Sequence, residues 1–335
     1  MIRVAINGFG RIGRLALRLM AQDNDFKVVA INTNSGPETL AYLLKYDTAH
    51  GNFMTDKITY TENTLIVNGN EIATSSVREP ENCNWKELEV DLVIDCTGKF
   101  NDAEKAQAHI KAGAKKVLLS APGKGNMKTV VYNVNHDTLD GTETVISAAS
   151  CTTNCLAPLA KVLNDSFGIE KGLMTTVHAY TNDQNIHDNS HKSGIKARRA
   201  RAAAANIVPT STGAAKTVGV VLPELKGKLD GIALRVPTLT GSVVDLTVEL
   251  KKSITVEEIN AAVKNAANET LAYTEDPIVS SDVIGSHYAS IFDALSTQIL
   301  DVDGKQLVKL ITWYDNEMSF TAQLVRVAKY WANLK

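Results

Sequence analysis

The sequence predicts an α/β chain in two parts: a parallel sheet wrapped by helices, then an α+β domain whose sheet is mostly antiparallel. Three observations carry this. Short apolar runs alternate with helical patterns through the first half, as strands joined by crossover helices do. A glycine-rich turn joins the first strand to the first helix. After about residue 150 the strands alternate polar and apolar residues, the mark of half-exposed antiparallel strands.

Residues 3–7 read as the first strand and 11–23 as the first helix, with Ile12, Leu15, Ala16 and Leu19 on its inward face. Further strands are expected at 27–32, 92–96 and 117–120. A helix over 102–112 is stopped by Gly113. In the second half, 241–251 places Val244, Leu246, Val248 and Leu250 on one face and Asp245, Thr247 and Glu249 on the other. Thr255 and Glu258 form a capping box that opens a helix running to about Asn268. Asp303-Gly304 is a two-residue hairpin turn leading into a strand over 306–314. An amphipathic helix over 320–333 closes the chain.

Composition narrows the class. With 335 residues the chain holds two domains. A net charge of −2 gives no reason to expect nucleic acid or an anionic membrane as partner. No apolar stretch approaches the ~20 residues that cross a bilayer. Four cysteines are too few for a disulfide scaffold, so the reducing cytoplasm is the expected compartment. Neither Cys-x-x-Cys nor His-Glu-x-x-His occurs, and no metal site is expected.

The turn Asn7-Gly8-Phe9-Gly10-Arg11-Ile12-Gly13 supplies Gly-x-Gly-x-x-Gly in a strand–turn–helix context. Gly8 permits the tight turn, Gly10 lets backbone approach a pyrophosphate, and Gly13 allows close packing of strand and helix. The first domain therefore reads as a Rossmann-type nucleotide-binding domain. That fingerprint also asks for a carboxylate near the end of the second strand, to hold the ribose of NAD. Here the segment is Ile31-Asn32-Thr33-Asn34-Ser35-Gly36, without one. NADP is expected to be accepted, with NAD still usable. The alternative is that Asn32 or Asn34 simply holds the NAD ribose.

Cys151 follows an apolar run and opens a helical pattern, so it stands at a helix N-terminus, where the dipole favours a thiolate nucleophile. Ser150, Thr152 and Thr153 add hydroxyls and backbone donors that suit an anion. Cys155, one turn further in, reads as a small buried hydrophobe rather than a redox partner. His178, at the end of an apolar strand, is the candidate base. The other histidines lack a comparable local context.

With these residues in view, the chain resembles phosphorylating glyceraldehyde-3-phosphate dehydrogenase nearly end to end. The resemblance runs through 7–13, 45–47, 147–154, 178–184, 198–204, 209–216, 234–237 and 313–317. It implies a Cys151 thiohemiacetal, proton transfer to His178, hydride transfer to NAD or NADP, and phosphorolysis of a thioester to 1,3-bisphosphoglycerate. Thr181 and Arg235 would hold the substrate's phosphate. Ser150, Thr212, Gly213 and Arg199 would hold the attacking one, with Thr152 also in the substrate site. Arg11 and Ile12 would line the pyrophosphate, Arg78 the adenine, Ser120 the ribose, and Asn316 the carboxamide. For Arg78 and Arg199 the plain alternative is a surface salt bridge. A homotetramer is implied by the resemblance alone. The domains then read as 1–149 nucleotide-binding, 150–315 catalytic, and 316–335 a C-terminal helix returning to the first.

Several positions depart from the family. Thr33 stands where an Asp is usual, and Asn189-Ser190-His191 replaces Leu-Pro before a His, so Ser190 points toward NADP a second time. A few extra residues lie between His191 and Arg199, in a loop that the family places at the subunit interface. Ser319-Phe320 replaces Gly-Tyr, keeping the ring without its hydroxyl. Two other functions compete: oxidation of erythrose 4-phosphate with hydrolysis in place of phosphorolysis, and a non-catalytic binding protein on the same scaffold.

Overall fold

The apolar runs near the N-terminus fold into strands buried on both faces: Val4, Ala5, Ile6, Val93, Ile94, Val117 and Leu118 have no exposed surface. The computed structural model describes residues 1–194 and 196–334 and divides into two units. One is residues 1–150 with the stretch from Thr321 onward; the other is Cys151–Phe320.

In the first unit the strands are β1 (Ile2–Asn7), β2 (Phe26–Asn32), β3 (Ile58–Tyr60), β4 (Thr64–Val67), β5 (Asn70–Ser75), β6 (Leu92–Asp95), β7 (Lys116–Leu119), β8 (Lys128–Thr129) and β9 (Val145–Ser147). Among the described residues they lie in the order β3-β4-β5-β2-β1-β6-β7-β9-β8. All neighbours from β5 to β8 pair in parallel; only the edge pairs β3–β4 and β4–β5 are antiparallel. The chain leaves β1 toward β2 and later returns on the other side at β6. Loops after β1 and β6 therefore diverge and leave a crevice at the strand ends, where α/β sheets bind ligands.

Helix α1 (Arg11–Met20) ends earlier than the expected residue 23, at an Ala21 cap. Its buried face is also wider than Leu15 and Ala16. Leu17, Met20 and Arg18 are buried, while Ile12 and Leu19 are only half-buried. Arg18 is held there through Nη1 and Nη2 by the carbonyls of Leu44, His50 and Gly51, which apolar periodicity alone does not register. Helix α2 (Pro37–Lys45) follows β2. Helix α3 (Ala103–Lys111) is capped by the Asp102 carboxylate, which accepts from the Glu104 N–H, and it ends before Gly113, whose φ is +103°.

The second unit carries β10 (Ile169–Ala179), β11 (Val208–Ser211), β12 (Leu229–Val236), β13 (Ser242–Leu250), β14 (Leu271–Thr274), β15 (Ser290–Val302) and β16 (Lys305–Tyr314). Their order is β11-β12-β10-β13-β16-β15-β14, with β10–β12 and β14–β15 parallel and the other neighbours antiparallel. On β13, Val244, Leu246 and Val248 are fully buried, whereas Leu250 is half-exposed at the strand end. Helix α4 (Cys151–Phe167), α5 (Ala214–Val221) and α6 (Val256–Asn265) belong to this unit. The capping box of Thr255 and Glu258 opens α6, which stops at Ala266 rather than near Asn268. Asp303 and Gly304 both take positive φ, 52° and 74°, as a type I′ hairpin turn requires.

Helix α7 (Met318–Ala332) begins in the second unit and belongs to the first from Thr321 on. Both unit boundaries differ from the expected 149/150 and 315/316. Asp315 accepts from Thr240 Oγ1 and from the Gly285 N–H, and Ser319 Oγ donates to Ser286 O, so the start of α7 stays with the second unit. Further along, Trp331 O accepts from Lys116 Nζ and Lys329 Nζ pairs with Asp23 and Asp25 of the first. No helix among the described residues is long and apolar enough to cross a membrane.

Candidate active site

Ala149 is left-handed, at φ 62°, a conformation uncommon for a residue with a Cβ. It precedes Ser150 and lets Cys151 become the first residue of α4. The thiol Sγ lies 3.4 Å from Nε2 of His178. The other ring nitrogen, Nδ1, sits 2.6 Å from Ala179 O, and a carbonyl can only accept. Nδ1 therefore carries the proton, and Nε2 is left as a lone pair facing the thiol.

Burial decides the resting charges. It pushes the Cys151 thiol up, against the charge of Arg235 and hydrogen bonds from Thr152 that pull it down. The same burial, aided by the charge of Arg235, depresses His178 to about 3, despite its bond to Ala179 O. Burial thus opposes the helix-dipole effect on which the expectation of a thiolate at this helix N-terminus rests. Neither group favours charge alone, so the proton passes between them as a pair.

Arg235 is the register partner of His178 on the neighbouring parallel strand. Its Nη1 donates to Ala179 O and to Thr181 Oγ1, each at 3.2 Å. Its Nε is buried with no partner among the described residues. An unpartnered buried guanidinium N–H is costly unless an anion completes it. Arg199 donates from Nη1 to Asp183 at 2.6 Å and from Nε to Thr210 Oγ1 at 3.1 Å. It lines a cleft of about 700 Å³ with Asp183, Thr210 and Ser211. An ion pair does hold Arg199, yet its charge still reaches His178 and Arg235 and disfavours positive charge on both.

Thr212 and Gly213 stand at the N-terminus of α5, with open space where a Cβ on Gly213 would lie. No hydrogen bond among the described residues joins them to Arg199 or Cys151; Thr212 Oγ1 accepts from the Ala214 N–H. Thr152, expected in the substrate site, is engaged from within the protein. It is buried, with Oγ1 2.9 Å from Tyr314 Oη. Tyr314 also meets Thr176 Oγ1 at 2.8 Å and sets its ring edge-on to His178. Sequence reasoning missed this tyrosine as a site residue; its one signal was the block 313–317. Cys155 is buried against Thr312, with its thiol pushed far up by burial. Asn316 Oδ1 accepts from Ser242 Oγ at 2.9 Å, which leaves its Nδ2 as donor.

In the first unit the glycine turn fits a dinucleotide. A Cβ on Gly13 would stand 2.2 Å from Gly8 O, so strand and helix are in contact there. A Cβ on Gly10 would meet nothing, leaving room for a phosphate at the uncapped start of α1. The Arg11 guanidinium is engaged by Asp47 and His50. The Asn32 amide is engaged within the protein, where it bridges Asn7, Ser75 and Val77. Thr33 is half-buried and Asn34 exposed beyond it. Arg78 is exposed, and no ion pair holds it among the described residues. Ser120 reaches the Cys96 thiol and donates its backbone N–H to Asp95 O. Ser190 is exposed in the loop after the base. Ser319 is buried, bonded to Asp315 and Ser286, with Phe320 buried beside it in sequence.

Residues 2–103 match the family described as "Glyceraldehyde 3-phosphate dehydrogenase, NAD binding domain", and 150–316 match its C-terminal domain. A glyceraldehyde-3-phosphate dehydrogenase of Clostridium pasteurianum is 60% identical over 334 residues, covering 100% of this chain and 99% of the relative. Proteins of the same name from Clostridium acetobutylicum and Streptococcus pyogenes serotype M1 are each 58% identical, with the same coverage.

Proposed function

The chain belongs to the glyceraldehyde 3-phosphate dehydrogenase family, and we propose that the residues described above perform that family's reaction in the following roles. The chain is an oxidoreductase that converts D-glyceraldehyde 3-phosphate to 1,3-bisphosphoglycerate with a nicotinamide cofactor. One observation carries the assignment of roles: a thiol faces the lone pair of a tautomer-locked imidazole, beside a buried guanidinium with an unpartnered N–H.

His178 Nε2 takes the thiol proton, and Sγ of Cys151 attacks the aldehyde carbon. The new oxygen recovers that proton from Nε2, giving a thiohemiacetal on Cys151. Oxidation of this adduct to a thioester needs a hydride acceptor, which a nicotinamide would supply when bound. His178 takes the hydroxyl proton during that oxidation. Inorganic phosphate then attacks the thioester carbonyl; the Cys151 sulfur leaves as a thiolate and recovers the proton held on His178 as the acyl phosphate forms.

Thr181 and Arg235 hold the substrate's phosphate, where the buried Nε gains its missing acceptor. Ser150, Arg199, Thr212 and Gly213 hold the attacking phosphate. The backbone from Gly8 to Gly13 cradles the pyrophosphate, with Arg78 at the adenine, Ser120 at the ribose and Asn316 Nδ2 at the carboxamide. The first unit takes the nucleotide-binding role and the second the catalytic one.

NADP is accepted alongside NAD. No carboxylate follows Asn32 to repel a 2′-phosphate, and Thr33, Asn34 and Ser190 offer small polar groups. The working state is a homotetramer. In its support, Leu173, Ile232, Leu300 and Leu307 share one exposed face of the second sheet. The cytoplasm is the expected location, consistent with four free cysteines.

Turnover of glyceraldehyde 3-phosphate with phosphate or arsenate omitted tests the reaction. Loss of turnover is expected; equal rates without either anion would replace phosphorolysis by hydrolysis and favour the erythrose 4-phosphate reaction.

A further inference from the structure

Beneath the glycine turn runs a chain of buried polar side chains that the reaction does not use. Asn7, Asn32, Asp95, His109 and Trp85 are all at most 5% exposed. They are the last residues of β1, β2 and β6, together with a histidine of α3 and a tryptophan of the loop before β6.

The donor directions in this chain are determined. Trp85 Nε1 can only donate, and it lies 3.0 Å from His109 Nδ1. Neutral His109 therefore carries its proton on Nε2, which donates to Asp95 Oδ2 at 3.2 Å. Asn7 Nδ2 donates to the same oxygen at 2.8 Å, so Asn7 Oδ1 must face the other way, where it accepts from Asn32 Nδ2 at 2.8 Å. Asn32 Oδ1 then accepts from Ser75 Oγ and the Val77 N–H. The second carboxylate oxygen, Asp95 Oδ1, accepts from the Thr97 N–H at 2.9 Å and from Thr97 Oγ1 at 2.7 Å. An acceptor-only carboxylate at the centre makes every neighbour a donor, and so admits one arrangement of the whole chain.

Both walls of the glycine turn hang from that carboxylate. Asn7 immediately precedes Gly8. Thr97 packs so tightly on Gly8 that a Cβ there would stand 2.9 Å from both its backbone nitrogen and its Cγ2. Through Asn32 the same chain reaches the end of β2, which leads to Thr33. We propose that Asp95 is a positioning residue for the cofactor: it acts through Asn7 and Thr97 to hold the turn at the width a pyrophosphate needs. The proposal rests on the turn binding the dinucleotide.

The experiment compares the native enzyme with Asp95→Asn and His109→Gln, by titration with NADH and NADPH followed by fluorescence, with thermal unfolding in parallel. Asp95→Asn turns one acceptor into a donor facing other donors. It is expected to weaken dinucleotide binding by about tenfold or more. KM for the dinucleotide should rise while KM for glyceraldehyde 3-phosphate and the rate of Cys151 alkylation without cofactor stay within about twofold. His109→Gln keeps Asn7 and Thr97 on the carboxylate and should weaken binding in the same direction, about threefold, by releasing one side of it. A folded Asp95→Asn enzyme with native affinity overturns the proposal, whatever its melting temperature. If that variant does not fold, native affinity in His109→Gln overturns it equally. Failure of the native enzyme to bind either dinucleotide would instead overturn the cofactor reading itself.

Discussion

His178 and Arg235 share one acceptor: the carbonyl of Ala179 takes Nδ1–H of the imidazole at 2.6 Å and Nη1–H of the guanidinium at 3.2 Å. Locking the tautomer of the base and aiming the cation at the substrate are thus one structural event. It depends on β10 and β12 pairing in the register that sets these two residues side by side. The proposed base and the proposed phosphate anchor should accordingly respond differently to mutation.

Replacing His178 by Asn removes the proton acceptor while keeping a polar side chain. We expect kcat to fall by roughly 10²–10⁴-fold, with KM for glyceraldehyde 3-phosphate changed far less. Steady-state kinetics, with titration of the single reactive thiol by iodoacetate, reads both. Turnover within a few-fold of native would remove His178 from its role.

Arg235→Lys keeps the charge but loses the Nε–H that stands beside the Nη1 contacts to Ala179 O and Thr181 Oγ1 and lacks a partner among the described residues. KM for the phosphorylated substrate should rise by about tenfold or more, a loss on the order of 1.4 kcal/mol, because a bidentate contact becomes a point charge. A non-phosphorylated aldehyde should be oxidised by native and variant enzymes at similar rates. If the variant loses equally on both aldehydes, the substrate-phosphate role fails.

Acid stability follows from the same burial. His178 is held down to about 3, whereas an unfolded chain protonates it near 6.5. Between those values the unfolded state binds the extra proton, so this contribution is present above about pH 6.5 and lost as pH falls toward 3. His178→Asn should therefore lose less stability than the native enzyme between pH 7 and pH 5, by roughly 1–2 kcal/mol. Denaturant titrations at the two pH values measure it; identical losses in both proteins would contradict a neutral buried imidazole.

Thr33→Asp places a carboxylate where a 2′-phosphate would lie. The native enzyme should use both dinucleotides, and the variant should shift toward NAD by about tenfold or more. A native preference for NAD of roughly a hundredfold, about 2.7 kcal/mol, would sink NADP use. An NAD/NADP ratio untouched by the substitution would show that Thr33 does not read the ribose.

Local features were legible because their physics is local. The glycine turn needs particular backbone angles, the capping box spans Thr255 to Glu258, and Asp303-Gly304 needs two left-handed residues. Cys151 at the start of α4 and His178 at the end of β10 could be read as candidates from flanking patterns, and the family resemblance supplied the rest of their chemistry. The sequence by itself determined the strand, turn and helix around Gly8–Gly13, the alternating strand β13 and which thiol opens a helix, whereas short elements such as β3, β4, β8 and α5 span too few residues to show a period.

Tertiary structure alone decided which polar groups meet. Thr152 and Tyr314 are 162 residues apart, and no local pattern announces that their hydroxyls meet. Asp95, His109 and Asn7 carry no shared motif, yet they are bonded to one another under the turn. The charge state of Cys151 was also beyond local reading, because the helix dipole acts over one turn whereas desolvation sums everything packed around the sulfur. Apolar periodicity reports which face of an element is buried. It carries no information about which donor will face which acceptor once two buried faces meet.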